Sequence, residues 1–358
     1  MSANAAMRIH DARNQFDRSG VHLNTATAGL PPNASWESLQ RALTSWRSGT
    51  ANAAAYDEPL ELSRRLFADM VNVDPGRVAV GSQASACVGV VAAALPDDAQ
   101  VLTAEGDFTS LLFPLLAHSG RGIKVQEVPL ERMAATINDN TALVALSAVQ
   151  SSDGRVADLD GIERACARTE TRVLLDATQA AGWLPLDANR YAYVIASGYK
   201  WLLAARGTAF FTMAPELMAD MVPLAAGWYA GTDPWASIYG SPLRLAADAK
   251  RFDVSPVWHS WVTQAPALQL IQAVGVPAIH ANNLALAHQF CEGVGIPKVD
   301  SAIVSMGVRP EASQRLKKAG ISAAMRAGRL RLSFHLSTTE DDVECAIEAL
   351  RGHILTPD

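Results

Sequence analysis

Two neighbouring segments of this sequence end in groups of opposite charge. The apolar run through Leu174 and Leu175 ends in Asp176, and the run through Ala196 is followed by Lys200. If both runs are parallel strands of one sheet, their carboxyl ends share an edge, so the carboxylate and the amine project into the same crevice. Taken singly, the two residues also fit a helix cap and a solvated surface lysine, but the paired context favours chemistry. A carboxylate that keeps a ring nitrogen protonated and an amine that forms a Schiff base are what pyridoxal phosphate needs.

The surrounding segments alternate between strand and helix character. Six short runs rich in Val, Leu, Ile and Ala are separated by longer helical stretches, and they cover residues 77–80, 100–103, 123–125, 141–149, 172–176 and 192–196. Nearly continuous apolar strands with helices between them indicate a mostly parallel sheet covered on both faces. Ligands of such sheets bind beyond the carboxyl ends of the strands, which is where Asp176 and Lys200 lie.

The pattern changes after about residue 265. Residues 267–273 and 278–290 are predicted helices, and residues 329–334 are a predicted strand. The Ser-Thr-Thr-Glu stretch at residues 337–340 has the spacing of a capping box at the start of one more helix. The buried face of that helix is predicted to hold Val343, Ile347 and Leu350.

The length of 358 residues exceeds a single compact core. We therefore predict an α/β fold with two domains. Residues 20–264 form a large cofactor-binding domain, in which helices sandwich the mostly parallel sheet. Residues 265–358 form a small α+β C-terminal domain, and residues 1–19 pack on it.

Composition excludes several classes of protein. Of the residues, 49% are hydrophobic and 18% are charged, and the net charge of −6 includes no long run of one sign. This balance predicts a small-molecule partner, with no nucleic acid and no membrane. The four cysteines lie far apart and the histidines show no metal-binding spacing, so neither a disulfide framework nor a metal site is expected. The N-terminal segment is charged and not apolar, and we predict a cytoplasmic protein.

The D-A-T-Q-A-x-G stretch that begins at Asp176 and the S-G-Y-K stretch that ends at Lys200 resemble the signatures of fold-type I, class V pyridoxal-phosphate enzymes. This family includes cysteine desulfurases, kynureninase and isopenicillin N epimerase. The resemblance runs along nearly the whole chain, from the stretch at residues 22–29 to the stretch at residues 331–335. It implies that Lys200 holds the cofactor and that Asp176 pairs with its ring nitrogen. It further implies that Gln179 hydrogen-bonds the ring 3-oxygen and that Ser197 binds the phosphate.

Two further cofactor contacts follow from the same resemblance. Gln83 and Ala84 lie between a strand and a helix, where relatives wrap the phosphate, and a helix N-terminus supplies N–H donors for an anion. The same residues also fit a simple strand-to-helix turn with a serine cap. Phe108 lies where relatives stack a His or Phe on the ring, although an isolated Phe also fits the core.

Arg331 lies where relatives hold the substrate α-carboxylate, a task that suits the planar guanidinium fork. Arg329, two residues earlier, points to the same strand face and is the main rival. Arg206 and Arg251 are weaker alternatives. Asn24, in the N-terminal stretch that carries the resemblance, is a further candidate for binding substrate.

The segment from Gly227 to Trp235 is too rich in Gly, Pro and aromatic residues for an ordinary helix or strand, and it indicates a functional loop. Relatives direct the equivalent region into the partner subunit's active site. The resemblance therefore implies that Thr232 binds the neighbour's phosphate and that the protein is a homodimer with shared active sites. Trp228, Tyr229 and Trp235 are assigned to the substrate, with simple filling of a dimer interface as the alternative.

The class of reaction can be narrowed because the sequence lacks a nucleophilic cysteine at the place where some relatives carry one. Cysteine desulfurases carry a nucleophilic cysteine shortly before the substrate-binding arginine, but residues 319–330 contain none, and Tyr199 replaces the histidine common before the lysine. A chain with this cofactor apparatus and no such thiol is expected to run β-elimination. The A-A-G-W-Y-A-G-T-D-P-W-A-S-I-Y-G stretch at residues 225–240 and the D-F-T-S-L-L-F-P stretch at residues 107–114 look like those of the hercynylcysteine sulfoxide lyases. These enzymes give ergothioneine, pyruvate and ammonia. Clustered aromatic rings suit the trimethylammonium group of that substrate.

Other classes of activity stay open as alternatives. They are a class V aminotransferase, an amino-acid epimerase and a cysteine desulfurase. A non-catalytic binding protein is disfavoured because the lysine, aspartate, glutamine and serine of the signatures are all present. A dinucleotide-dependent oxidoreductase is disfavoured because no G-x-G-x-x-G follows the first strand.

Overall fold

A computed structural model describes residues 7–355 of the chain. The strands are β1 Val21–His22, β2 Val78–Gly81, β3 Gln100–Ala104, β4 Lys124–Val128, β5 Thr141–Ser147, β6 Arg172–Asp176, β7 Tyr193–Ser197, β8 Ala209–Met213, β9 Ile303–Met306, β10 Ile321–Ser322, β11 Ala324–Arg326 and β12 Arg329–Ser333. The helices are α1 Ile9–Arg13, α2 Asn33–Ser48, α3 Asp57–Met70, α4 Ala84–Ala94, α5 Thr109–Leu116, α6 Met133–Thr136, α7 Leu159–Thr169, α8 Trp258–Val274, α9 Val276–Val294, α10 Ala312–Lys318 and α11 Glu340–Leu350.

Seven strands form the central sheet, in the order β2-β8-β7-β6-β5-β3-β4. Strands β3 to β7 pair in parallel, whereas β8 runs antiparallel to both β7 and β2. The predicted mostly parallel sheet is therefore confirmed. Strand β8 was not predicted, and it is the element that makes this end of the sheet antiparallel.

Alternate strand residues build a core on each face of the sheet. On one face Phe210 stacks on Phe67 of α3 and meets Trp261 of α8 edge-on. On the other face Phe211 packs near Tyr193 and Phe252. Because side chains in a strand point alternately to opposite faces, an apolar run such as β8 fills both cores at once. The sheet is thus covered on both sides and its carboxyl edge is left for ligands.

The free edge of β2 is blocked by a buried ion pair. Arg64 Nη2 lies 2.6 Å from Asp253 Oδ2, and both side chains are buried. Asp253 also accepts a hydrogen bond from the Val80 backbone N–H at 2.8 Å, and Arg64 donates to the Val78 carbonyl. Val254 N–H donates to the Val80 carbonyl at 3.3 Å. The pair therefore binds the outermost strand just before the turn that leads into α4.

A second, smaller sheet lies in the C-terminal part of the chain. Its three strands pair antiparallel in the order β11-β12-β9, with α9 and α11 sharing its apolar core. Helix α11 buries Val343, Ile347 and Leu350 as predicted. The predicted capping box is wrong by two residues, because Thr339 caps the helix and its partner is Asp342.

The two-domain division stays a prediction. Residue 264 lies inside α8, which packs beside α2 and α3. Of the N-terminal segment, residues 1–6 lie outside the described residues. Arg13 contacts Glu340 at 2.6 Å and Arg18 contacts Asp342 at 2.6 Å.

Over residues 7–355, none of the helices is by itself both long and apolar enough to cross a membrane. One bent pair, α8 and α9, meets the length and composition of a span when taken together, and its helices are inclined at 82°.

Candidate active site

A cleft of about 560 Å³ lies at the carboxyl edge of the central sheet. It brings together seven of the residues predicted to bind the cofactor. These are Gln83, Ala84, Phe108, Asp176, Gln179, Ser197 and Lys200. The parallel order of β6 and β7 explains the convergence, since both strands end at the same edge.

Lys200 lies just beyond β7 and is buried. The turn that carries it is tightly packed, because a Cβ at Gly198 would lie 2.0 Å from Gln264 Oε1. Burial lowers the pKa of Lys200 from 10.5 to about 8, with the Arg331 guanidinium adding to the effect and the Asp176 carboxylate opposing it. A substantial fraction of the amine is therefore neutral and nucleophilic near physiological pH.

Asp176 ends β6 at the floor of the cleft. Its Oδ1 accepts a hydrogen bond from the Thr178 backbone N–H at 2.8 Å. Burial raises the pKa of Asp176, and hydrogen bonds from Thr178 and the nearby Lys200 oppose that rise. Asp176 forms no salt bridge with another of the residues 7–355. A buried carboxylate of this kind favours a cationic N–H in the cleft, and a protonated pyridine nitrogen is such a group.

Gln179 is held by two buried indoles. Trp201 Nε1 donates to Gln179 Oε1 at 2.8 Å, and Trp183 Nε1 donates to the Gln179 backbone carbonyl at 2.6 Å. The Gln179 Nε2 group donates to the Ala26 carbonyl at 3.0 Å and to Ser151 Oγ at 3.1 Å. These contacts fix which end of the amide donates, because the Trp201 N–H identifies the acceptor oxygen.

The cleft also carries groups that suit an anion. No side chain caps the N-terminus of α4, whose first residue is Ala84. The cleft lining includes the hydroxyl groups of Ser82, Ser85, Ser110 and Ser197 and the guanidinium of Arg206. Uncapped backbone N–H groups, hydroxyls and a guanidinium suit a phosphate. Together with the acid and the lysine, the lining fits pyridoxal phosphate.

Phe108 lies on the wall of the cleft. Its ring centroid is 5.3 Å from Lys200 Nζ, and 45% of the residue is exposed. This exposure is inconsistent with the alternative of a core Phe. The ring is free to stack on a flat ligand beside the lysine.

The candidate arginines occupy different places. Arg331 is only 1% exposed, and its guanidinium donates to Thr27 Oγ1 at 2.8 Å and to the Ser151 carbonyl. Burial, followed by repulsion from Arg326, lowers the pKa of Arg331 to about 10. Within residues 7–355 no carboxylate pairs with it. Its rival Arg329 is exposed and turns to Ser305, so the structure favours Arg331 as the buried cation near the lysine.

The aromatic loop lies outside the cleft lining of its own chain. Thr232 is exposed, and its Oγ1 donates to the Leu245 carbonyl at 3.0 Å. Trp228 lies 5.1 Å from Trp235, ring centroid to ring centroid, and Tyr229 is buried against Asp57. The assignment of these residues to a partner's site stays a prediction.

Asn24 forms a β-bridge to Ser333 of β12, the strand that also carries Arg331. Its Oδ1 atom is buried and accepts no hydrogen bond among the described residues. An unsatisfied acceptor of this kind is free for an N–H donor of a ligand. Its predicted contact with substrate stays a prediction.

Asp107 is a residue of the site that the sequence did not single out. Its carboxylate accepts hydrogen bonds from Ser147 Oγ at 2.5 Å, from the Ser147 N–H at 2.8 Å and from the Phe108 N–H at 2.7 Å. It thereby ties the backbone at the start of α5 to β5. The signal that could have found it was its place directly before Phe108, after a buried strand.

Burial disfavours the thiolate form of Cys87, Cys166 and Cys291. Burial raises the pKa of Cys87 to about 12 and that of Cys166 to about 11, and it raises the pKa of Cys291 as well. Cys345 lies in α11. The segment before Arg331 is a hairpin of β11 and β12 without a thiol.

Comparison with known proteins gives a consistent picture. The model of the family Aminotransferase class-V matches residues 23–302. An uncharacterized aminotransferase, YcbU of Bacillus subtilis (strain 168), is 26% identical over 88% of this chain and 87% of its own length. Cysteine desulfurase IscS of Shewanella sp. (strain W3-18-1) is 22% identical over 83% of this chain and 82% of its own length.

Two solved structures of the protein C-DES share the fold. A mutant with glycine covalently linked to the PLP cofactor has a TM-score of 0.86 at 21% identity, covering 95% of this chain and 99% of that one. A complex of the cystine C–S lyase C-DES with its product cysteine persulfide has a TM-score of 0.84 at 21% identity. The match covers 94% of this chain and 98% of that one.

Proposed function

Since the chain belongs to the aminotransferase class V family, whose cofactor is pyridoxal phosphate, we propose that it is a carbon–sulfur lyase. It performs β-elimination on a cysteine sulfoxide whose sulfur carries a larger group. When bound, the cofactor supplies an electron sink for the charge that develops at Cα. The remaining steps depend on the side chains of this chain.

The predicted site residues have the following roles in this proposal. Lys200 Nζ holds the cofactor and then takes the proton from Cα, a task that its lowered pKa supports. Asp176 keeps the ring nitrogen protonated, and Gln179 donates to the ring oxygen. Gln83, Ala84 and Ser197 hold the phosphate, and Phe108 covers the ring. Arg331 orients the substrate by its α-carboxylate.

The observation that carries the proposal is the hairpin that precedes Arg331. Strands β11 and β12 are joined by Ala327 and Gly328 alone, and no thiol lies between residues 319 and 330. Desulfuration to alanine needs a protein thiolate that accepts the sulfur. Elimination needs only a base, an electron sink and a leaving group. That C-DES, with the same fold, is a cystine C–S lyase is compatible with this choice.

The specific substrate that we propose is hercynylcysteine sulfoxide. Elimination releases its sulfur group as a sulfenic acid, which a thiol reduces to ergothioneine, while the three-carbon fragment hydrolyses to pyruvate and ammonia. Trp228 and Trp235 offer aromatic faces for the trimethylammonium group, and Trp235 is 41% exposed. In this proposal they act from the partner's side of a homodimer, with Thr232 on the neighbour's phosphate. We place this activity in the cytoplasm.

The test is the product balance of the loaded enzyme. With hercynylcysteine sulfoxide and an added thiol, pyruvate, ammonia and ergothioneine should form in equal amounts without free alanine. Lys200→Ala is the control and should form none of them. Alanine as the main product would favour a desulfurase, and dependence on a keto acid would favour an aminotransferase. Return of the racemised amino acid would favour an epimerase.

A further inference from the structure

A second arginine lies beside Arg331, whose guanidinium donates to Ser151 in the cleft lining. Arg326 Nη2 donates to Thr27 Oγ1 at 3.2 Å, the same oxygen that accepts from Arg331 Nη2 at 2.8 Å. Two guanidinium groups that share one neutral acceptor lie close together in spite of their like charge. Such a pair is stabilised when an anion binds between or beside the two groups.

The β11–β12 hairpin explains how Arg326 reaches this place. Ala327 and Gly328 form its two-residue tip, and both have positive φ, 46° and 76°. Arg326 is paired with Arg329, and Arg331 follows two residues later, so all three share one face. Arg329 is drawn away to Ser305, which leaves the other two side by side.

Arg326 lacks an acidic partner within residues 7–355. Its side chain donates only to the Met325 carbonyl and to Thr27 Oγ1. Its charge lowers the pKa of Arg331, and it also contributes to the lowered pKa of Lys200. The positive charge of Arg326 therefore acts electrostatically on Arg331 and Lys200. No carboxylate of residues 7–355 neutralises it.

We propose that Arg326 binds a second carboxylate, carried on the side-chain substituent of the amino-acid substrate. Arg331 takes the α-carboxylate, and Arg326 at the exposed end of the hairpin takes the carboxylate farther from Cα. The inference deepens the proposed function of the same site. A hercynyl group carries such a carboxylate next to its trimethylammonium group. The cofactor phosphate would have separate donors at the N-terminus of α4 and at Arg206, which line the cleft.

The experiment compares two unreactive amino acids with the same carbon chain, 2-aminosuberate and 2-aminooctanoate. Only the first has a carboxylate at its far end. Dissociation constants are measured from the absorbance change of the bound cofactor, for the parent holoenzyme, Arg326→Gln and Arg329→Gln. The control Arg329→Gln removes an exposed arginine from the same face of the same hairpin.

Arg326→Gln should raise the dissociation constant of 2-aminosuberate by at least about tenfold and that of 2-aminooctanoate by less than about twofold. Only the far carboxylate of 2-aminosuberate loses its partner. Arg329→Gln should change neither. Equal weakening of both ligands would place Arg326 on the α-carboxylate, and no weakening of either would leave it outside the site. Both results would overturn the inference.

These outcomes are separate from those of the lyase test. If cysteine sulfoxides give no pyruvate but Arg326→Gln still discriminates between the two ligands, the lyase proposal is wrong and the second carboxylate site stands. If pyruvate forms but Arg326→Gln affects the two ligands alike, the lyase proposal stands and the second carboxylate site is wrong.

Discussion

Arg331→Met should have opposite effects on substrate binding and on the stability of the substrate-free holoenzyme. Methionine fills most of the volume of the arginine side chain and removes its charge. The site is buried, and no carboxylate of residues 7–355 pairs with it. The substrate should lose its main anchor, while the protein should lose a charge that it holds in an unfavourable place.

The pKa of Arg331 gives the magnitude. Burial first, and Arg326 second, lower it from 12.5 to about 10, which corresponds to about 3 kcal/mol against the charged form. Below about pH 10 the folded state bears this cost, because the unfolded chain is charged as well. Hydrogen bonds from a charged group to Thr27 and Ser151 return about 1.5–3 kcal/mol. The free energy of unfolding should therefore stay unchanged or rise by about 1–2 kcal/mol.

Binding should change in the other direction. A carboxylate left without its buried partner costs about 2–5 kcal/mol, which is a dissociation constant raised by roughly 30- to 5000-fold. Substrate titration followed by cofactor absorbance measures this, and thermal unfolding measures stability. Arg329→Met is the matched control and should change neither. A stability loss above about 2 kcal/mol, typical of a broken buried pair, would refute the reasoning, as would unchanged substrate affinity.

Three further predictions concern the cleft and the aromatic loop. The Asp176→Asn variant should still bind cofactor, but its rate of pyruvate release should fall by more than about a hundredfold, because an amide does not hold the ring proton. Near-normal activity would remove Asp176 from its role. Burial lowers the pKa of Lys200 to about 8. The rate at which cofactor-free protein binds cofactor should therefore rise with pH and level off above about pH 9, once the amine is neutral. Stopped-flow absorbance measures this rate, and a midpoint near pH 10.5 would contradict a pKa lowered by burial. Trp228→Ala and Trp235→Ala should each raise the KM for a trimethylammonium substrate about 2- to 30-fold more than the KM for a neutral analogue. Equal increases in the two KM values would assign the rings to an interface alone.

The sequence predicted the parts of the fold that depend on local patterns. Strand β6 has the predicted bounds, and the other predicted strands of the central sheet deviate by one to three residues at their ends. The acid and the lysine were predictable because a parallel strand order places consecutive strand ends at one edge. The prediction required no knowledge of individual side-chain contacts.

The rest depends on long-range packing. Strand β8 is an apolar five-residue run, and its antiparallel course follows only from its place between β7 and β2. The cap of α11 lies at Thr339, which exchanges hydrogen bonds with Asp342, although Ser337 and Glu340 have the same spacing. Arg326 was not recognised because its partner, Thr27, lies about three hundred residues away in the chain.

The ion pair of Arg64 and Asp253 also bears on how copies of this chain can associate. An outer strand with free N–H and C=O groups is a template for another strand, and Val78 and Val80 would offer such groups. Here Arg64, Asp253 and the Val254 N–H already occupy them. At the opposite border, β4 presents the charged residues Lys124 and Glu127. Strand-by-strand growth of the sheet between molecules is thus disfavoured at both borders, and self-association is directed to the surfaces formed by helices and loops.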